Sequence, residues 1–134
     1  MQNKNIIFSV VTNFISPFIL LFVFYIQLNG ESSPGGGFQA GAIFASLLIA
    51  LDLTKDLNLT TQHLLYVGSI GLLSYILPGM VSIFSGANFL NYSTIANSNL
   101  DGQKIGIFIV EIGIGLVVSS ILYLIYKSFI RKSA

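Results

Sequence analysis

Residues Ile6 to Leu28 read IIFSVVTNFISPFILLFVFYIQL, without a single formal charge. A helix needs about 20 mostly apolar residues to cross the hydrocarbon of a bilayer. This run meets that requirement. Pro17, near its middle, does not disqualify it, because neighbouring helices can satisfy the carbonyl that such a proline frees. The stretch makes lipid the solvent of the chain and sets its fold class as an all-α integral membrane protein. Composition agrees: of 134 residues, 54% are hydrophobic and 8% charged, against roughly 25% charged in a soluble domain. At this length one membrane domain over 1–134 is expected. A cleaved leader is not expected, since the first run exceeds the length of a signal core and further runs follow it.

Three more spans lie downstream, at about 34–51, 62–85 and 105–126. The second is bounded by Glu31 and Asp52. The third falls in a stretch between Asp56 and Asp101 that has no Asp, Glu, Lys or Arg. It contains Pro78-Gly79. A helix ending at Leu77 would cover only about 21 Å, short of the roughly 30 Å core, so the proline predicts a kink and not an end. Thr60 and Thr61 stand where caps belong, and His63 beside them reads as structural. The fourth span carries one charge, Glu111. Between spans three and four, GANFLNYSTIANSNLDGQ (Gly86 to Gln103) predicts a polar loop.

Four spans place both termini on one side. Lys4, Lys55, Lys127, Arg131 and Lys132 fall on the termini and the middle loop, and Lys104 alone falls on the other side. Basic residues favour the cytoplasm, so both termini are expected there. A net charge of +1 gives no case for a nucleic-acid partner, and the lack of cysteine removes disulfides and thiolate sites. No Ser/His/Asp set exists for hydrolysis. The reading is therefore not an enzyme, with no cofactor and no metal.

The next segment outward, ESSPGGGFQAG (Glu31 to Gly41), puts three glycines where a span should begin. Ser33 can cap a helix and Pro34 suits its first position. Gly35, Gly36 and Gly37 would then form a first turn without side chains. Each costs about 1 kcal/mol against alanine, so three together require a reason. One is close approach by another backbone or a ring. Another is a set of bare N–H donors at a positive helix end. Small residues continue downstream: Gly37, Gly41 and Ala45 are four apart, as are Ala42, Ser46 and Ala50. Such spacing lets helices pack backbone to backbone in lipid. Gly68, Gly71 and Ser74 in span three, and Gly115 with Ser119 in span four, read the same way. Gly113 lies near the level of Glu111.

Glu111 lies about 9 Å into span four by helical rise. Facing lipid, it would cost on the order of 3 kcal/mol, so it should face protein or water. Withdrawal from water disfavours its charged form and brings proton exchange toward neutral pH. Two roles stand open: a proton or cation relay, and a structural acid hydrogen-bonded to a neighbour. Asp52, at the cytoplasmic end of span two, is either a solvated loop charge or the guard of an entry.

On PGGGFQAGAIFASLLIAL (Pro34 to Leu51) and VEIGIGLVVSSILYLI (Val110 to Ile125), the chain resembles the MnhB-type subunits of the multi-subunit Mrp (also called Mnh) sodium/proton antiporters. The family's hallmark matches Pro34, Gly35, Gly36, Gly37 and Phe38, continued here by Gln39 and Gly41. The last helix of the family has a stretch resembling Glu111-Ile112-Gly113. Members often read Gly-Gly where this chain has Ala40-Gly41. The resemblance implies a small non-motor subunit in a bacterial or archaeal cell membrane. Its partners would be large subunits related to respiratory complex I and other small subunits. Na⁺ and H⁺ would be the transported ions, and this chain would contribute to assembly and to the cation path. Two alternatives differ in class. One is a structural subunit of a related respiratory or hydrogenase-type complex. The other is a stand-alone small exporter or channel, which the absence of an acid in span one and of tryptophan disfavours.

Overall fold

The computed structural model describes residues 6–30, 34–96 and 98–132. Among them are four α-helices: α1 (Ile6–Leu28), α2 (Gly37–Lys55), α3 (Thr61–Phe84) and α4 (Asn99–Lys132). A 3-10 turn, Tyr92–Thr94, lies between α3 and α4. All four α-helices are long and apolar enough to cross a membrane.

The bundle is organised on α4, which packs against α2 on one side and α3 on the other, while α1 rests on α2. Helices gain little from burying apolar side chains against one another in lipid, so close backbone packing has to hold them. The small residues supply it. A methyl group on Gly41 would fall 2.6 Å from the carbonyl oxygen of Gly115. One on Gly71 would fall 2.7 Å from the Gly113 oxygen, and one on Gly113 2.6 Å from the Gly71 oxygen. Gly37 lies against Glu111 and Gly41 against Gly115. Numbers rise together along both helices, so α2 and α4 run parallel in one register. Ala40 and Ala45 are buried in the same seam, and Tyr123 is the largest fully buried side chain.

The start of α2 differs from the sequence expectation. The helix begins at Gly37, so Pro34, Gly35 and Gly36 precede it and do not form its first turn. The cause is Gly36, at φ 110° and ψ −174°, a conformation essentially restricted to glycine. Its N–H donates to the carbonyl of Ile26 in the last turn of α1 at 3.3 Å. An orphan carbonyl of α1 is thereby satisfied and the entry to α2 is pinned to it. The expected cap Ser33 lies outside the described residues, as do Lys4 and Glu31.

The start of α4 also differs. It begins at Asn99, inside the segment expected to be loop. The Ser98 hydroxyl accepts the Asp101 N–H at 3.1 Å and donates to the Asp101 carboxylate. This N-cap satisfies a donor that the first turn leaves orphaned and so starts the helix within a polar segment. The connection before it is anchored by Tyr92, which is buried with its ring and backbone against Gly106 and Gly102. Burial, with the Tyr75 phenol nearby, pushes the Tyr92 phenol above its ordinary value, so it stays neutral.

α3 starts where Thr60 accepts the His63 N–H on its hydroxyl at 3.3 Å. It runs through Pro78 without ending. The Ser82 hydroxyl, fully buried, donates to the Pro78 carbonyl at 3.0 Å. Gly79 next to it receives the ring of Phe89 from the following connection.

Candidate functional site

Three positions between the end of α1 and the start of α2, distant in sequence from Glu111, converge on it. The first is the end of α1 and the turn after it. A methyl on Gly30 would fall 2.6 Å from Oε2 and 2.7 Å from Oε1 of the Glu111 carboxylate, and 2.7 Å from the Gly36 Cα. The second is the glycine turn: a methyl on Gly36 would lie 3.2 Å from Oε1. The third is the first residue of α2, because Gly37 sits directly on the main-chain carbonyl of Glu111. Any side chain on Gly30 or Gly37 would collide with this acid or its backbone. The carboxylate is half-buried in a wall of bare main chain, beside the N-terminus of α2. That helix end carries partial positive charge and attracts an anionic group.

The remaining motif residues separate into groups. Gly35 packs on α1, where a methyl would fall 3.1 Å from the Ile26 oxygen. Pro34 and Gln39 are exposed, and Phe38 is 62% exposed. These three therefore face outward from the bundle. Gly41 serves the α2–α4 seam. Gly113 faces α3 through Gly71, away from the carboxylate wall.

Asp52 stands at the opposite end of α2. Its carboxylate faces the phenols of Tyr123 and Tyr126 on α4. With Tyr126, Lys127, Thr60 and Thr61 it lines a cavity of about 520 Å³. The Lys127 ammonium donates to the Leu59 carbonyl and lies 6.0 Å from the centre of the Tyr123 ring. Asp52 and Glu111 are thus at the two ends of the α2–α4 seam.

Sequence reasoning missed three members. Gly30 was hidden because a glycine just after a helix reads as an ordinary stop. Gln27 was hidden as one amide in an apolar span. Its Nε2 is buried without a hydrogen-bond partner, and its Oε1 lies where a methyl on Gly115 would meet it at 3.0 Å. Tyr123 was hidden among the aromatic residues of α4. Its hydroxyl is buried and faces the Asp52 carboxylate. Its one available signal was the four-residue spacing from Gly115 and Ser119.

Among the described residues, no group of three or more His, Asp or Glu side chains stands together as a metal site.

A family model described as the domain related to the MnhB subunit of Na⁺/H⁺ antiporter matches residues 7–124. The B-type subunit of the Na⁺/H⁺ antiporter of Bacillus subtilis is 38% identical over 96 residues, covering 69% of this chain and 67% of that protein. Antiporter subunit mnhB2 of Staphylococcus saprophyticus is 35% identical over 103 residues, covering 72% and 70%. The mnhB2 subunit of Staphylococcus epidermidis is 33% identical over 104 residues, covering 72% and 71%. With four helices fit to cross a bilayer, the chain is a multi-pass membrane protein. It belongs to the family of domains related to the MnhB subunit of Na⁺/H⁺ antiporters.

Proposed function

We propose that this chain is the MnhB-type subunit of a multi-subunit Na⁺/H⁺ antiporter in the cell membrane, with both termini cytoplasmic. Its relatives supply the class of machine, and the basic residues supply the orientation. It assembles with the other membrane subunits of the antiporter, including large ones of the complex I type. Glu111 is its ionisable group on the cation or proton path. The observation that carries this role is the wall of main chain around the carboxylate. Gly30 and Gly36, from the connection between α1 and α2, leave room at the carboxylate oxygens, and Gly37, at the helix start that follows, leaves room at the main-chain carbonyl of the same acid. Backbone packing alone would not need bare residues at the carboxylate oxygens. An acid so held can exchange a proton or cation without moving its helix.

Glu111→Gln in the assembled complex tests the reading. It preserves size and hydrogen-bonding capacity but cannot release a proton. Na⁺-driven proton movement in everted membrane vesicles is expected to fall by about 10²-fold, the scale of losing one proton-transfer group. Co-purification of the subunits should be unchanged. Full exchange in that variant assigns Glu111 to structure and the chain to a scaffold role.

A further inference from the structure

α1 rests on α2 and scarcely meets α4, whereas Gly41 and Gly115 draw α2 and α4 together. The mismatch leaves a groove of about 430 Å³ between α1, α2 and α4. Its floor is small and closed, with Ala40 and Ser119 both buried. Its rim is open, because Phe24, Leu28 and Phe108 line it and are themselves exposed. α1 has 23 residues, about 34 Å of helix, against a hydrocarbon core of about 30 Å. Its last turn, which holds Gln27, therefore stands where hydrocarbon gives way to headgroups. Leu20, at the other end of the groove, lies about 10 Å deeper by helical rise. The groove thus runs inward from the headgroup boundary, along the path that an acyl chain takes.

One polar demand in this groove is unmet. The Gln27 Nε2 is buried without a hydrogen-bond partner, while Oε1 lies against Gly115. Buried polar groups left unsatisfied are rare, and each calls for an explanation. Water does not supply one. It needs two to four polar partners, and apolar cavities stay dry. Apart from Gln27 the only polar side chain in the lining is Ser119, whose hydroxyl donates to the Leu116 carbonyl at 3.2 Å. A helix of another subunit does not supply one either, since the carbonyls of a spanning helix are bonded within it. What is missing is a hydrogen-bond acceptor carried on an apolar body.

We infer that the groove is a lipid site. The acyl chain of an ester-linked phospholipid lies between α1 and α4, and its ester carbonyl accepts from the Gln27 Nε2. The lipid belongs to the leaflet opposite the one in which α1 begins. Its ester carbonyls stand at the hydrocarbon boundary, which is the level of Gln27. The last torsion of a glutamine is soft, so a turn of the amide presents its nitrogen to the groove. The chain of the lipid takes the place of a contact that α1 does not make with α4. This inference does not depend on the role of Glu111.

The test uses the assembled complex in phosphatidylglycerol vesicles doped with a phosphatidylglycerol that carries a diazirine midway along one acyl chain. The probe is made twice, ester-linked and ether-linked; the ether form keeps chain and headgroup but has no carbonyl. After illumination, labelled peptides are mapped by mass spectrometry. In the parent, the ester probe should label residues 20–28 and 108–119 about fivefold more than the ether probe, the scale of one hydrogen bond. Gln27→Leu removes the donor and leaves no amide unpaired, so the complex should assemble. Its ester labelling should fall to the ether level. Leu20→Trp fills the deep end and should lower labelling of residues 108–119 by both probes. Equal labelling by the two probes in the parent overturns the site without recourse to any variant. So does an ester preference that survives Gln27→Leu, or labelling that Leu20→Trp leaves unchanged. An unlabelled 108–119 segment gives the groove to a neighbouring subunit and overturns the lipid as its occupant.

Discussion

A glycine can be required for space or for conformation, and this chain contains a clean case of each. Gly37 is required for space: what a methyl would strike is the main-chain carbonyl of Glu111, which has no rotamer to escape into. Gly86 is required for conformation alone: its φ is 78°, and no atom lies within 4 Å of where a methyl would go. Gly86→Ala should therefore cost about 1 kcal/mol, the left-handed penalty for an L-residue. Gly37→Ala should cost about 2 kcal/mol or more through overpacking. Thermal melting in detergent checks the order, and a milder effect at Gly37 than at Gly86 would refute the contact. Gly36 combines both demands, with its φ of 110° and the carboxylate 3.2 Å from a would-be methyl.

At the scale of single helices, α4 shows how a start signal can override polarity. Its first turns, from Asn99, lie ahead of the apolar run, and the Ser98–Asp101 pair holds them helical. Ser98→Ala should remove about 1 kcal/mol of capping. The loss should stay local. Amide hydrogen exchange should accelerate from Asn99 to about Lys104, while the buried amides near Tyr123 keep their protection. α3 manages its proline differently: the helix continues, and Ser82 and Phe89 fill the space around Pro78 and Gly79.

At the scale of the whole molecule, cohesion is uneven. α1 buries only Val23 and exposes most of its aromatic residues, Phe14, Phe18, Phe22 and Tyr25 among them. Elements with few buried contacts open first. Hydrogen exchange of the isolated chain in detergent should show α1 less protected than α3 and α4; equal protection would mean that α1 is held by more than its seat on α2. The four apolar runs were legible in the sequence because charge placement and length alone decide them. The small-residue faces were legible because Gly37, Gly41 and Ala45 repeat at the helical period. The beginning of α2 was not, since Pro34-Gly35-Gly36 fits a helix start by residue type and only the φ of Gly36 rules it out. Nor was the enclosure of Glu111 by Gly30, because spacing along a chain does not say which connection returns to which helix. Gln27 becomes notable only when packing strips its amide nitrogen of partners, and Tyr123 only when packing buries it beside Asp52.

The parallel seam has a mechanical consequence. α4 is gripped on two sides by backbone: Gly37 and Gly41 of α2 on one, Gly71 of α3 on the other. Advancing α4 by one residue along its own screw would bring Ile114 or Leu116 to the place where the bare Gly115 lies against Gly41, and neither side chain fits against that backbone. α4 cannot act as a piston between its neighbours. Whatever this chain contributes to ion exchange must come from atoms rearranging around a stationary strut, or from the three helices tilting together as one block.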